Sequence, residues 1–186
     1  MNIQKPKARI KITLDCDRQC KYCINHSAAY RSKWQEIESV FDTDWSGYRT
    51  IIISGGEPTT DMRLKYIVKS LRDVTDGLIP IYLQTNGWGL TKELVREIDG
   101  DIDGIGLSIH DVAEFGHMLT RWSDIVRIKP IRLYVQDVLH QSAMTVSGSM
   151  EPMFTWRVWK DGDFDSNEEI FLLTGWQTRP ILKECK

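Results

Sequence analysis

Three cysteines lie close together near the start of the chain, at Cys16, Cys20 and Cys23 in the segment CDRQCKYC. They follow an apolar run, Ile10 to Leu14, that is typical of a strand. Cysteine thiolates are the usual protein ligands of iron–sulfur clusters, and a [4Fe–4S] cluster needs one thiolate per iron for full protein ligation. A local trio therefore predicts a cluster with one iron left open to a ligand that is not protein.

Other uses of these thiols remain open. His26 lies three residues after Cys23 and could complete a Cys3His zinc site, since structural zinc sites fill four positions. Zinc modules are usually small, whereas this trio opens a long alternation of strand and helix patterns. Disulfides are disfavoured because the first residues, MNIQKPKAR, contain no apolar signal sequence, which predicts a reducing, cytoplasmic location. The remaining cysteine, Cys185, has no metal-ligand spacing around it and is predicted not to ligate the cluster.

A second group of residues that could bind a ligand or take part in chemistry follows the apolar run Thr50–Ser54. The segment Gly55-Gly56-Glu57-Pro58 begins where this predicted strand ends. Neither glycine has a Cβ, so the backbone can approach a ligand closely, and the Glu57 carboxylate can accept hydrogen bonds from an ammonium group. The alternative is a simple turn from strand to helix, a common use of glycine.

Together these two motifs resemble the signature of the radical S-adenosylmethionine (SAM) superfamily. The C-x3-C-x2-C spacing, with aromatic Tyr22 before the third cysteine, is similar to the family's cluster motif, and Gly55-Gly56-Glu57 looks like its GGE motif. The resemblance implies that Cys16, Cys20 and Cys23 hold a [4Fe–4S] cluster and that Glu57 helps to bind the amino group of SAM.

The resemblance implies that the protein is an enzyme, either an oxidoreductase or a lyase. An external one-electron reductant such as flavodoxin or ferredoxin would reduce the cluster, and reductive cleavage of SAM would yield a 5′-deoxyadenosyl radical. That radical would take a hydrogen atom from the substrate. The alternative is a non-enzymatic iron–sulfur or zinc protein.

The order of the elements predicts an α/β fold. Alternating strands and helices imply parallel strands joined by right-handed crossovers. The predicted strands are 10–14, 50–54, 80–84, 103–109, 131–135 and 154–159, and the predicted helices are part of 32–41, 61–74, 91–98 and 112–122. By resemblance this is a partial (β/α)6 TIM-like barrel, trimmed toward the C-terminus. One domain is expected over 1–186, with the cluster and SAM part at 9–110 and a substrate-side part at 111–186.

Two later segments are predicted to be irregular. Ser142–Glu151 indicates a loop, and the acidic stretch 161–169 indicates a solvated turn before the apolar run Ile170–Leu173, because it lacks the glycine and glutamate of an EF-hand.

Polar residues follow two further predicted strands. In barrels of parallel strands the active groups lie at the C-terminal strand ends. Asn86, Ser108 and His110 occupy such ends and are predicted to contact SAM or substrate, with Gln136 and Asp137 as weaker candidates. The alternative for Asn86 is turn formation, which Asn-Gly favours by itself.

The composition argues against some classes of partner but does not identify the substrate. The 186 residues carry a formal charge of −2, and no apolar stretch approaches the roughly 20 residues that cross a bilayer. Nucleic acid is not indicated by charge, and the short basic run Lys5, Lys7, Arg9, Lys11 predicts a solvated strand start. A small nucleoside or pterin-like molecule, a protein or peptide, and a modified nucleic-acid base all remain open as substrates.

Overall fold

A computed structural model describes residues 5–20, 23–125, 127–148, 154–159 and 167–175 of the chain. These residues form eight strands and five α-helices, with short 3-10 turns between them. The strands are β1 Lys7–Lys11, β2 Trp34–Ile37, β3 Thr50–Ser54, β4 Ile81–Thr85, β5 Gly104–Ile109, β6 Ile131–Gln136, β7 Phe154–Trp159 and β8 Glu168–Leu173. The helices are α1 Ala28–Arg31, α2 Leu64–Val74, α3 Lys92–Ile98, α4 Val112–Trp122 and α5 Asp137–Ser147.

The strands form one sheet in the order β2-β8-β1-β3-β4-β5-β6-β7. Each neighbouring pair is parallel. Among the described strands, β2 and β7 do not pair, so the sheet is open at that point. The predicted α/β fold, a partial barrel of parallel strands, is confirmed, and β2 and β8 extend it beyond the six predicted strands on the side of β1.

The two faces of the sheet differ in chemistry because side chains alternate along a strand. On β1, Ala8 and Ile10 are fully buried in the hydrophobic core, whereas Lys7, Arg9 and Lys11 border a cavity. We call the cavity-lining face of the sheet the inner face. The cations of β1 are therefore not a solvated strand start as predicted; Lys11 is only 2% exposed.

Helix boundaries follow the predicted patterns closely. In α2 the buried residues Leu64, Ile67, Val68 and Leu71 recur at helical spacing and pack into the core. Thr91 begins α3 as predicted, since its side chain accepts a hydrogen bond from the Leu94 backbone N–H at 3.1 Å.

Helix α4 covers the predicted Val112–Trp122. The Asp111 side chain caps it by accepting from the Glu114 N–H at 2.9 Å.

The first strand lies earlier than the predicted 10–14, since β1 ends at Lys11. Two further predictions of local structure are wrong. The segment 32–41 is mostly not helical: Trp34–Ile37 forms strand β2, whose pairing with β8 outweighs local helix propensity. The segment 142–151 is not a loop up to residue 147, because α5 continues to Ser147, while residues 149–151 lie outside the described residues. Only Ala143 and Ser147 of α5 are buried, so the helix gives little periodic signal.

Strand β7 matches the predicted strand 154–159. Trp156 packs edge-on against Phe154, Phe115 and His140, which is ordinary core packing. Most of the acidic stretch lies outside the described residues, but Glu168 and its neighbours form β8. In the described part of the chain no helix has the length and apolar character needed to span a membrane.

Candidate functional site

The polar strand ends border one cavity of about 950 Å³ on the inner face. Nine of the ten sequence-predicted site residues line it: Cys16, Cys20, Cys23, Gly55, Gly56, Glu57, Asn86, Ser108 and His110. The tenth, Tyr22, lies outside the described residues, as does Cys185. Neither of the weaker candidates, Gln136 and Asp137, borders it among the described residues.

Strand β5 makes room for a side chain that borders this cavity. Its inner face carries Gly104, Gly106 and Ser108, and a Cβ at Gly106 would come within 2.8 Å of the Tyr134 ring. The residues between them are buried in the core on the other face. The sequence of β5 thus provides room for the tyrosine that borders the cavity.

Backbone hydrogen bonds join the two sequence motifs. We call residues 12–23 the cysteine loop. The Gly56 N–H donates to the Thr13 carbonyl at 2.8 Å, and the Glu57 N–H donates to the Asp15 carbonyl at 2.7 Å. A Cβ on Gly55 or Gly56 would overlap the Thr13 or Asp15 carbonyl. The close approach that these glycines allow is therefore made by the cysteine loop itself.

The Glu57 carboxylate connects the ends of β3 and β4. It is 1% exposed and accepts hydrogen bonds from the Thr59 hydroxyl at 2.7 Å, the Asn86 backbone N–H at 2.7 Å and the Thr85 hydroxyl. The Thr59 N–H donates to it as well, at 3.1 Å. This residue has a clear structural function, and its contact with an amino group of SAM stays a prediction.

Asn86 connects β4 to the cysteine loop. Its Nδ2 donates to Asp17 Oδ1 at 2.6 Å, while its Oδ1 accepts from the Trp88 N–H at 2.9 Å. Gly87 follows with φ of +87°, a conformation that glycine adopts without strain. The Asn-Gly pair therefore does form a turn, and the same side chain also faces the cysteine loop.

His110 lies beside one of the predicted ligands. Its Nδ1 is 3.9 Å from Cys20 Sγ, at the wall between the large cavity and a neighbouring one of about 640 Å³. Burial, followed by the nearby charge of Arg18, lowers the pKa of His110 to about 4, so the imidazole is neutral at pH 7. Arg18 in turn forms an ion pair with Glu114.

The three thiols are the donors that a [4Fe–4S] cluster with one open iron requires. All three are free, and Cys16 is exposed while Cys20 and Cys23 are partly buried. They border a common cavity, and in a [4Fe–4S] cluster each thiolate binds a different iron. The donor set present therefore fits the cluster.

A further set of polar contacts in this site, made by residues of β1, was not predicted from the sequence. Lys11 Nζ donates to Asn25 Oδ1 at 2.6 Å, and Asn25 Nδ2 donates to the Gly55 carbonyl at 3.0 Å. Arg9 forms a bidentate pair with Glu168, at 2.8 and 3.0 Å. The alternation K-A-R-I-K on β1 could have indicated that these cations share a face.

Two cations near β6 do not reach the site. Lys129 precedes β6, at the opposite end of the strand from the cavity, and pairs with Asp99 at 3.0 Å. Arg132 is exposed and borders neither of the two cavities.

The protein is an α/β protein with a parallel sheet. Its cysteine loop is hydrogen-bonded to the glycine-rich segment at the end of β3. The sequence profile of the Radical SAM superfamily matches residues 10–131, which contain both motifs. The chain therefore belongs to the radical SAM superfamily, a family of enzymes that generally bind a [4Fe–4S] cluster and SAM.

Individual relatives agree with this assignment. The chain is 26% identical over 130 residues to GTP 3′,8-cyclase of Mesorhizobium japonicum, covering 64% of this chain and 39% of the relative. It is 36% identical over 114 residues to the probable GTP 3′,8-cyclase of Sulfolobus acidocaldarius, covering 56% and 34%. The matched segments thus span less than half the length of these curated relatives.

A solved structure shows the same fold. The crystal structure of Streptococcus suis SuiB superposes with a TM-score of 0.56 at 14% identity, covering 90% of this chain and 42% of that one. At this identity the similarity concerns the fold alone.

Proposed function

We propose that this chain binds a [4Fe–4S] cluster and SAM, cleaves SAM reductively and abstracts hydrogen from a substrate. One observation carries the proposal: the cysteine loop and the Gly55-Gly56-Glu57 segment are hydrogen-bonded to each other at the rim of one cavity. When bound, the cluster supplies the electron that cleaves SAM to methionine and a 5′-deoxyadenosyl radical. The protein positions the reactants and excludes water.

Cys16, Cys20 and Cys23 are the proposed cluster ligands, and SAM binds the open iron. Gly55, Gly56 and Glu57 form the wall against which the SAM amino group binds. The support for this role is the position of that wall, within hydrogen-bonding distance of the loop that carries the thiols.

The other predicted contacts form the rest of the SAM and substrate surface. Asn86, Ser108 and His110 line the cavity at the ends of β4 and β5, which supports contacts to SAM or substrate. Tyr22 is proposed for the same surface on the basis of its position in the cluster motif alone.

Of the substrate classes left open by the sequence, we propose a small molecule of the nucleoside kind. The support is the name of the relatives, GTP 3′,8-cyclase, together with a cavity of about 950 Å³, a size that suits small ligands. The electron is proposed to come from an external protein such as flavodoxin or ferredoxin. Exposure of Cys16 supports this, because a cluster held by this residue would be accessible to a protein donor from the surface.

Anaerobic reconstitution tests the proposal directly. Protein loaded with iron and sulfide is incubated with SAM and dithionite, and 5′-deoxyadenosine is measured by chromatography. Wild-type protein should release it, Cys20→Ala should not, and Cys185→Ser should behave as wild type. Zinc in place of iron, or iron and sulfide without 5′-deoxyadenosine, would contradict the proposal and favour a zinc protein or an electron carrier.

A further inference from the structure

The cavity carries an excess of positive charge that the proposed chemistry does not use. Six of its described lining residues are lysine or arginine and two are glutamate. The cations are Lys7, Arg9, Lys11, Arg18, Lys33 and Arg157. Both glutamates are already engaged, because Glu168 pairs with Arg9 and Glu57 accepts from the ends of β3 and β4.

Lys11 is the buried member of this set without an anionic partner. Its side chain is 2% exposed, and in the described part of the chain it forms no ion pair. The ammonium donates to the neutral Asn25 amide at 2.6 Å and lies 5.1 and 5.2 Å from the ring centroids of Tyr30 and Trp34. Buried charges in proteins are usually paired, so this cation needs an explanation.

A second polar group beside Lys11 is also unused. Ser54 on β3 is directly opposite Lys11 in the strand register, and both line the cavity. Ser54 is only 6% exposed, and its buried hydroxyl oxygen has no hydrogen-bond partner among the residues that the structure describes. Buried polar atoms without partners are uncommon in native proteins and point to a missing ligand or water. An ammonium and a hydroxyl on paired positions of neighbouring strands, both bordering the cavity, offer two donors to an oxyanion bound there.

We propose that Lys11 and Ser54 form a subsite that binds an anionic group of the substrate, a phosphate or a carboxylate. This inference rests on the proposed function and adds the substrate class: a molecule that carries an oxyanion at one end. The oxyanion accepts from Lys11 Nζ and Ser54 Oγ at the inner face, in the same cavity that the cysteines border.

Electrostatics agrees with this placement. Burial, followed by the charge of Arg9, lowers the pKa of Lys11 to about 7. A bound oxyanion stabilises the protonated form, so binding weakens as the pH rises above 7. The titratable and charged groups that act on the pKa of Lys11 are Arg9 on the same strand, Glu168 on β8 and Cys23 in the cysteine loop.

Direct binding of small anions tests the subsite. Reconstituted protein is titrated anaerobically by calorimetry with inorganic pyrophosphate in one arm and malonate in the other, so that phosphate and carboxylate chemistry are distinguished. Lys11→Met should weaken the preferred anion at least tenfold, and Ser54→Ala about threefold. The control Lys69→Met removes an equal charge from the exposed face of α2 and should change nothing.

Three outcomes would overturn the proposal. The first is weak binding of both anions to wild-type protein that neither Lys11→Met nor Ser54→Ala alters, which would make Lys11 a packing residue only. The second is competition between SAM and the preferred anion, since the proposal requires both to bind together. The third, should Lys11→Met fail to fold, is unaltered anion binding in Ser54→Ala. Release of 5′-deoxyadenosine by wild-type protein is measured separately, so failure of the subsite does not imply failure of SAM cleavage.

Discussion

At the scale of single residues, Glu57 combines two functions that sequence reasoning treated as alternatives. The turn interpretation and the ligand interpretation both have physical content, because the carboxylate caps the turn at Pro58–Thr60 and also holds the end of β4. A buried anion that accepts several hydrogen bonds fixes the backbone around it. The wall proposed for SAM is thus positioned by the same side chain that the motif suggested for binding.

Glu57→Gln tests the structural part of this account. The amide nitrogen would face donors from Thr59, Thr85 or Asn86, leaving at least one buried donor without an acceptor. We expect a loss of about 2 kcal/mol or more in the free energy of unfolding, measured by urea denaturation. The control Glu97→Gln, at a side chain 55% exposed, should lose less than about 0.5 kcal/mol. Equal losses in the two variants would mean that the Glu57 network contributes little.

Gly56→Ala tests the junction between the two motifs. The added methyl group would overlap the Asp15 carbonyl, so the cysteine loop has to move away from the strand end. Iron and sulfide content after reconstitution should fall to less than half of the wild-type value.

The matched control is Gly100→Ala, where a Cβ meets nothing within 4 Å. That variant should retain its full iron content. Normal iron content in Gly56→Ala would show that the loop can hold its ligands without the backbone junction.

At the scale of secondary-structure elements, β8 forms part of the wall of the cavity. It lies between β1 and β2, although it is the last described strand in the chain. Its Glu168 forms a bidentate pair with Arg9 of β1, and Arg9 also donates to Gln84 of β4 at 2.8 Å. Side chains from three strands are therefore fixed to one another across the inner face.

Removing the acidic partner of Arg9 should destabilise the protein. Glu168→Gln leaves the Arg9 guanidinium, whose side chain is 16% exposed, without a counter-charge. We expect the free energy of unfolding to fall by about 2–4 kcal/mol, again measured by urea denaturation.

For comparison, Asp73→Asn breaks the exposed pair of Lys69 and Asp73 on α2 and should cost no more than about 0.5 kcal/mol. If Glu168→Gln cost no more than this control, the coupling of β8 to β1 would have to come from backbone pairing alone.

The element scale also shows what the sequence could and could not predict. Strands and helices with strong periodicity, such as α2 and α4, were predicted nearly to the residue. Strand β2 was not, because its pairing with β8 joins positions more than a hundred residues apart, which no local pattern reveals. Helix α5 was missed because it buries too few residues to produce a stripe.

The same distinction holds for the site. The cysteines and Gly55–Glu57 were found from their spacing. Lys11 was assigned to solvent because a lysine carries no local sign of burial.

At the scale of the whole molecule, parallel pairing brings both motifs to one edge of the sheet. The strand that precedes the cysteine loop and the strand that precedes Gly55 are neighbours in register, β1 beside β3. The small residues of β5 make room for side chains such as Tyr134 on the inner face, and the hydrophobic core covers the other face of the sheet. Thiols that are far from Glu57 in sequence thereby share one cavity with it.

The central claim is that SAM binds an open iron of a cluster held by Cys16, Cys20 and Cys23. The most direct measurement is the EPR spectrum of the dithionite-reduced, reconstituted protein, recorded with and without SAM. If SAM binds the open iron, the g values of the cluster signal should shift when SAM is added, in wild-type protein and equally in Cys185→Ser. A cluster signal that SAM leaves unchanged in wild-type protein, or that responds to SAM only in Cys185→Ser, would contradict it.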